Sequence, residues 1–418
     1  MSNVESEVKF EVSSYRWVVL IFFILIAVIT QMIWITFAPI TTEAAEYLFN
    51  TAVPSDIQVN LILLLSMVFM IVYLPVNYFA CKGIERFGLK WGTGIGVILT
   101  GVFGFLRAIV PNYWVVFAFQ IMCAIGQPFV LNSFTKLAIN WFPENEKALA
   151  VSLGTVGILL GAALGMFLPG MFLSIGIGTI LYIFGGGALF FMVLYLIFVK
   201  DKPDSPPNAY SDKPMELGIK GTRDLFRKDF LLLFILVLLG AGIFNALSTG
   251  IDLLFADMNV PSSLGLGEDA IGILGGVMIL GGIIGAIVLS TLSDKFRKRK
   301  IFLILAVGAS TVFAILFYFV HDFVPLLVIA FFFGFMLISA LPIGFTLGAE
   351  MTYPVPEETS NGWLMWSGQL SGILLIAAVM FIPASAIKYN FIIYAVLFAI
   401  ATVLAFFLKD LKDYELKQ

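Results

Sequence analysis

The 418-residue sequence is short of the residues that catalytic and metal sites use, with one histidine, two cysteines and 12% charged residues. His321 falls in a short loop between apolar runs, so there is neither a buried histidine relay nor a hydrolase Ser/His/Asp pattern. Cys81 and Cys123 suggest no disulfide framework and no metal site. A Walker phosphate loop is absent too, which argues against an ATP-driven pump. The sequence predicts no enzyme activity, no cofactor, no bound metal and no nucleic-acid partner.

The sequence is rich in long apolar runs, and 60% of its residues are hydrophobic. Charges separate twelve apolar runs, each near the ~20 residues that an α-helix needs to cross a hydrocarbon core of about 30 Å. Backbone groups in lipid must find partners within their own segment, so each run is predicted to be a helix. The predicted spans are Trp17–Ile40, Ile57–Ala80, Gly92–Val110, Trp114–Ile139, Ala148–Leu173, Thr179–Val199, Phe230–Phe255, Ala270–Leu292, Ile301–Val320, Pro325–Ala349, Gly362–Ile382 and Asn390–Leu408. The fold class is therefore an all-α membrane protein with twelve transmembrane helices in a lipid bilayer.

The lysines and arginines lie on one side of this pattern. Of the 24, all but Arg107 and Lys388 fall in alternate connections or near the termini. The positive-inside rule predicts that this basic side is cytosolic, together with both termini. Arg107, near the outer end of the third span, is expected to extend its long side chain to the outer interface. We expect the protein to lie in the plasma or cell membrane.

The connections on the opposite side are acidic, with Lys388 as their only cation. Their acids are Glu43, Glu46, Asp56, Asp257, Glu268, Asp269 and Asp322. An acidic mouth concentrates cations and repels anions, although salt limits the effect to about 10 Å. The charge pattern therefore favours a cationic substrate.

A polar stretch divides the chain between Val199 and Phe230, and its four prolines argue against a continuous helix through its first half. We predict an N-terminal six-helix bundle over residues 1–199 and a cytosolic linker over 200–229. A second six-helix bundle with a short cytosolic tail covers 230–418. The fifth span reads GILLGAALGMFLP from Gly157 to Pro169, and the eleventh reads GILLIAAVMFIP from Gly372 to Pro383. Matching spans come in the same order, which predicts a parallel, pseudo-symmetric repeat.

This architecture resembles the major facilitator superfamily, whose signature Gly-x-x-x-Asp-Arg-x-Gly-x-Arg-Lys joins the second span to the third and recurs between the eighth and ninth. The first copy keeps Glu85, Arg86, Gly88 and Lys90, and the second keeps Asp294, Lys295, Arg299 and Lys300. Cys81 replaces the first leading glycine, and Ser290 and Arg297 stand at glycine positions of the second copy. The resemblance implies a cytosolic latch, with a carboxylate at the positive end of a neighbouring helix contributing roughly 0.3–1 kcal/mol. The alternative is that these charges only set the topology.

Two further charges occupy equivalent cytosolic heights in the two halves. Lys136 follows Pro128 by eight residues in the fourth span, and Glu350 follows Pro342 by the same interval in the tenth. Their opposite signs suggest that they pair when an inner gate closes. Pairing within each half is the alternative, with Glu350 bound to the cations of the connection between spans 8 and 9.

Three stretches resemble the feline leukaemia virus subgroup C receptor family. They are LSMVFMIVYLP from Leu65 to Pro75, GQP at residues 126–128 followed by NWFPENEKALA at 140–150, and LPIGFTLGAEMTYPVPEETSNG from Leu341 to Gly362. The resemblance implies a secondary transporter that carries a small polar organic solute by alternating access, most readily an organic cation such as choline or ethanolamine. The same family also implies the alternative of an exporter of haem or another larger amphiphile or drug. A receptor or sensor that transports nothing is a remote alternative because the loops are short, and we expect a monomer.

Trp34 is the first candidate for substrate binding. It lies in the outer half of the first span, and an indole offers a cation a π face worth about 0.5–2 kcal/mol. In the family that the chain resembles, the matching tryptophan stacks on the quaternary ammonium of choline. The alternative is a lipid-facing tryptophan of the interfacial belt.

Four polar residues complete the predicted substrate-binding set. Gln127 and Gln369 match family glutamines near the same site, although either can instead make an interhelical hydrogen bond. Asn245 stands where choline-binding members carry a tyrosine, and this change weakens a two-ring cage for a trimethylammonium group. Asp252, in the outer part of the seventh span, either attracts a cation, carries a proton or marks the helix end.

Overall fold

The computed structural model describes residues 12–143, 146–203, 205, 225, 227–261, 269–352, 355 and 357–409. In this part of the chain, eleven helices are long and apolar enough to cross a membrane. One of them, Asp56–Leu106, has 51 residues. Its length of about 75 Å at 1.5 Å per residue covers two crossings of a core of about 30 Å. The predicted twelve-helix architecture is confirmed. Most of the linker predicted over 200–229 lies outside the described residues.

The twelve spans follow the predicted order, with boundaries mostly shifted by a few residues. They are Arg16–Ile35, two spans within Asp56–Leu106, Tyr113–Leu131 with Ser133–Trp141, Lys147–Met171, Ile177–Phe198, Lys228–Thr249 with Ile251–Leu254, Asp269–Phe296, Arg299–Phe319, Phe323–Thr352, Glu357–Phe381 and Asn390–Phe406. The first span ends five residues before its predicted limit of Ile40, and a 3-10 turn at Ala38–Ile40 and a helix at Thr41–Phe49 follow it. Because Asn132 and Gly250 interrupt the fourth and seventh spans, each of these spans continues as a second, shorter helix.

Gly88 separates the second span from the third. Its φ of 80° lies in the left-handed region, which a residue with a Cβ adopts only at a cost. The carboxylate of Asp201 fills the space that such a Cβ would occupy, and Asp201 Oδ1 accepts a hydrogen bond from the backbone N–H of Lys90 at 2.9 Å. An acid therefore does cap the start of the third span. It is Asp201, just after the sixth span, and not the signature residue Glu85.

Small residues bring equivalent helices together in the two halves. A Cβ at Gly161 of the fifth span would collide with the backbone of Val28 in the first. In the second half, a Cβ at Gly372 of the eleventh span would come within 3.0 Å of the Asn245 side chain in the seventh. The fifth span thus packs on the first as the eleventh packs on the seventh, in agreement with the parallel repeat. The bundle limits at residues 199 and 230 stay a prediction.

The two halves meet through spans 5 and 8 and through spans 2 and 11. Hydrogen bonds between two pairs of residues join them on the side that carries the acidic loops, here called the acidic side. Asn60 Nδ2 donates to the Met380 carbonyl at 3.0 Å, and Asp252 Oδ2 accepts from the Thr42 backbone N–H at 3.2 Å. The 3-10 turn Ala38–Ile40 is buried against the seventh and eighth spans. The structure is therefore closed on the acidic side.

Candidate functional site

Trp34 lies in the last turn of the first span, buried within the protein. Its side chain is 7% exposed, whereas Trp114 at the start of the fourth span is 64% exposed. The indole Nε1 donates to the Ser66 carbonyl at 3.2 Å, and Ser66 Oγ donates to the Trp34 carbonyl at 3.1 Å. This reciprocal pair ties one edge of the indole to the second span without using the ring faces. A lipid-facing position does not fit so buried a ring.

Gln127 lies beside the turn of the first span that precedes Trp34. Its Nε2 donates to Gln31 Oε1 at 2.8 Å, and both side chains are buried. This is the interhelical hydrogen bond that the sequence left open as an alternative. This hydrogen bond uses one polar atom of each amide and does not involve Gln127 Oε1 or Gln31 Nε2. Gln31 was missed from sequence, although a polar residue three positions before Trp34 lies on nearly the same helix face.

Asn245 occupies the corresponding level of the second half. Its side chain is buried, and Nδ2 donates to the Gly368 carbonyl in the eleventh span at 3.3 Å. A Cβ at Gly372, one turn further, would meet both Asn245 and the sulfur of Met70. Met70 lies one turn from Ser66, which binds Trp34. Trp34 and Asn245 are therefore linked through residues of the second and eleventh spans.

Gln369 follows Gly368 in the eleventh span and is partly exposed. Asp252, in contrast, lies seven residues beyond Asn245 in the short helix Ile251–Leu254. At about 1.5 Å per residue it is roughly 10 Å closer to the acidic side. The carboxylate accepts hydrogen bonds from the N–H and hydroxyl of Thr42, at 3.2 and 3.4 Å. The structure brings Asp252 to the contact between the halves and not to the level of Trp34.

The expectation that Arg107 extends to the outer interface is wrong. Arg107 is fully buried, and its guanidinium donates to the Ile33 carbonyl, to Gln120 Oε1 and to Thr36 Oγ1 at 3.0–3.1 Å. The physical reason is the nearby end of the first helix, whose last carbonyls lack helical partners and carry partial negative charge. These acceptors hold the guanidinium inside the bundle.

The second signature copy forms a charge cluster within its own half. Arg299 is buried, and its guanidinium binds Asp294 and also Glu350 Oε1, the latter at 3.1 Å. Glu350 thus contacts a cation of the connection between spans 8 and 9, which is the local alternative. Among the described residues, Lys136 and Glu350 form no ion pair in this state, so their pairing at a closed inner gate stays a prediction. Glu85, Arg86 and Lys295 are exposed.

Glu350→Gln is expected to lower both the thermal stability and the rate of solute uptake, because a neutral amide is a weaker acceptor for a buried guanidinium by about 1–3 kcal/mol. Lys298→Ala removes an exposed cation from the same connection, outside the signature positions, and should change neither. Combining Glu350→Gln with Lys136→Ala tests the gate pair through a double-mutant cycle. Additive effects on uptake would rule out the pair of Lys136 and Glu350. Coupled effects would show that the two residues pair when the inner gate is closed.

Comparison with known proteins gives these contacts a family context. The family model of the Major Facilitator Superfamily matches residues 19–265 and 254–417. Rat "Choline/ethanolamine transporter FLVCR2" is 28% identical over 87% of this chain and 68% of its own length. Cat "Choline/ethanolamine transporter FLVCR1" is 27% identical over 88% of the chain and 67% of its own length. The Caenorhabditis elegans "Uncharacterized MFS-type transporter C09D4.1" is 28% identical, and this chain spans only 65% of its length.

Solved structures agree on the fold. A bacterial homolog to human lysosomal transporter Spinster, in an inward-facing and unoccupied conformation, has a TM-score of 0.72 and 14% identity, and the alignment covers 97% of this chain and 99% of that one. The Escherichia coli xylose transporter XylE, partially occluded and inward open, has a TM-score of 0.71 and 12% identity over 96% of this chain and 99% of that one. The twelve-helix fold and the two matches to the family model along nearly the whole sequence lead to one conclusion: this chain is a multi-pass membrane protein of the major facilitator superfamily.

Proposed function

We propose that this protein is a secondary transporter for small organic cations, with choline and ethanolamine as its substrates. It works by alternating access in the plasma membrane, as a monomer, with the basic side and both termini in the cytosol. The observation that carries the proposal is Trp34, a buried indole whose N–H is bound to the Ser66 carbonyl, an arrangement that does not use the ring faces. A desolvated cation–π contact contributes about 2 kcal/mol.

Three buried amides, one of them three residues before Trp34, suit an alkylammonium alcohol. Gln127, Gln31 and Asn245 are buried amides, and amide oxygens accept hydrogen bonds from a hydroxyl or a primary ammonium. Asn245 takes the place of a second aromatic wall. We therefore expect ethanolamine, whose ammonium donates three hydrogen bonds, to bind at least as well as choline.

The names of the relatives support the same substrate class, since rat and human FLVCR2 and cat FLVCR1 are choline/ethanolamine transporters by name. The acidic loops on the side that we assign to the exterior favour cations in the same way. Asp252 and Thr42 close that side, and the Arg299 cluster lies at the cytosolic end.

The purified protein in proteoliposomes should take up labelled choline and ethanolamine saturably, above the uptake of empty vesicles. The neutral isostere 3,3-dimethylbutanol is the matched ligand control, because it keeps the shape of choline and lacks its charge. We expect it to compete at least about tenfold less well, the factor that a loss of about 1.4 kcal/mol produces. Imposed sodium or proton gradients show whether uptake is coupled. Efflux of haem or a drug without any uptake of choline or ethanolamine would overturn the proposal and favour the exporter.

A further inference from the structure

The first helix ends in a cluster of buried side chains. The helix stops at Ile35, so its last carbonyls have no helical N–H partner. Arg107 Nη1 and Gln120 Nε2 both donate to the Ile33 carbonyl, at 3.1 and 3.3 Å, and Thr36 Oγ1 donates to the Met32 carbonyl at 2.6 Å. Three side chains from the first, third and fourth spans thus satisfy one helix end.

These side chains also bind one another. Arg107 donates from Nη1 to Gln120 Oε1 at 3.0 Å and from Nη2 to Thr36 Oγ1 at 3.1 Å. All three are fully buried. Among the described residues Arg107 makes no ion pair, so the guanidinium is balanced by carbonyl and amide oxygens and by the negative end of the helix. A buried cation without a carboxylate is costly, and a simple helix end does not require one.

The end of the first helix lies next to the candidate binding residue Trp34 and to the 3-10 turn that closes the acidic side. Trp34 follows Ile33, whose carbonyl receives two of the hydrogen bonds. The 3-10 turn Ala38–Ile40 begins three residues after Ile35 and packs against the seventh and eighth spans of the other half. The guanidinium also lies 5.5 Å from the ring centre of Phe37, between these two points. Movement of this helix end would displace the indole and the closing turn together.

We propose that Arg107, with Gln120 and Thr36, is a positioning residue for transport. The cluster fixes the end of the first helix to the third and fourth spans, so that the indole of Trp34 and the closing turn Ala38–Ile40 move as one body with the N-terminal half. The part that concerns Trp34 rests on the proposed function, and the part that concerns closure does not. The competing account is a hydrogen-bond network that only stabilises the fold.

Four variants separate these accounts. Arg107→Met removes the guanidinium, Arg107→Lys keeps the charge with fewer donors, and Thr36→Val removes one hydroxyl with little change of shape. Tyr113→Phe is the matched control, because the hydroxyl of the buried Tyr113 donates to the Leu61 carbonyl of the second span at 2.9 Å and not to the first helix. Each variant is measured for its melting midpoint and for the KM and kcat of choline and ethanolamine uptake.

A second readout does not depend on substrate. Ala38→Cys, in a background in which Cys81 and Cys123 are replaced by alanine, places a thiol at a position that is buried while the acidic side is closed. A membrane-impermeant maleimide added from that side labels the thiol only when the closure opens. The labelling rate therefore reports how firmly the turn is held.

We expect Thr36→Val and Arg107→Met to raise KM about fivefold or more with less than about a twofold change in kcat. The same variants should raise the labelling rate of Ala38→Cys several-fold, with Arg107→Lys in between. Their combined effect should fall short of the sum, because they act on one contact. Variants that lose melting temperature as Tyr113→Phe does, with KM and labelling unchanged, would leave only the structural account. If the wild type transports neither amine but the labelling rates of the variants still rise, the positioning role of Arg107, Gln120 and Thr36 is supported and the proposed substrate is wrong.

Discussion

Trp34→Ala is expected to raise the KM for choline uptake about thirty-fold, which corresponds to losing a desolvated cation–π contact of about 2 kcal/mol. Ethanolamine should lose less, because hydrogen bonds to amide oxygens carry more of its binding. The measurement is uptake of both labelled amines into proteoliposomes over a range of concentrations. Equal transport by Trp34→Ala and the wild type would rule out the indole as the cation site.

Two variants show which property of Trp34 matters. Trp34→Phe keeps an aromatic face and loses the hydrogen bond from Nε1 to the Ser66 carbonyl, so it should recover most of the affinity. Trp114→Ala removes an exposed tryptophan from the lipid-facing surface and should leave KM unchanged. A loss in Trp34→Phe as large as in Trp34→Ala would assign the effect to the contact with Ser66 and not to the ring.

The fold could be predicted almost completely from the sequence because its determinants are local. Hydrophobic length predicts the spans, which the structure confirms, whereas the sidedness that charge predicts stays a prediction. The exceptions are places where a contact distant in sequence decides the local structure. Asp201 allows the helix over residues 56–106 to turn at Gly88, and Arg107 binds the end of the first helix. Each contact joins residues of different spans, so the residue pattern within one span does not predict it.

The candidate site was less predictable for the same reason. Trp34, Gln127 and Asn245 were candidates as aromatic or polar residues within apolar runs, and the structure buries all three; their role in binding stays a prediction. Sequence position alone did not distinguish Asp252 from this group, since the residue lies in the same apolar run as Asn245. Only the bend at Gly250 and the helix Thr41–Phe49 of the other half give Asp252 its partner.

Asp252→Ala is expected to shift the balance of states toward opening on the acidic side. The carboxylate accepts hydrogen bonds from the N–H and hydroxyl of Thr42, in the first turn of a helix, where the positive helix end favours an anion. A hydrogen bond to a charged group contributes about 1.5–3 kcal/mol, so we expect the labelling rate of Ala38→Cys from the acidic side to rise about tenfold or more.

A matched control separates this bond from the general charge of the acidic mouth. Asp257 lies on the same side, is exposed and faces His321 of its own half at 3.5 Å. Asp257→Asn therefore removes one negative charge without touching the contact between the halves. We expect it to leave labelling unchanged and KM for a cation slightly raised. Equal labelling in Asp257→Asn and Asp252→Ala would mean that charge, and not the bond to Thr42, holds the closure.

The same variants distinguish the other roles that the sequence left open for Asp252. If it binds substrate directly, Asp252→Asn should raise KM and leave Ala38→Cys labelling at the wild-type rate. If it carries a proton, Asp252→Asn should abolish the response of uptake to a pH gradient. As a closing contact, Asp252 should instead share part of its effect with Thr42→Val, which removes the hydroxyl donor and keeps the backbone N–H donor. The double variant should then label no faster than Asp252→Ala alone. Fully additive labelling would separate the two residues and reject the contact as the closing element.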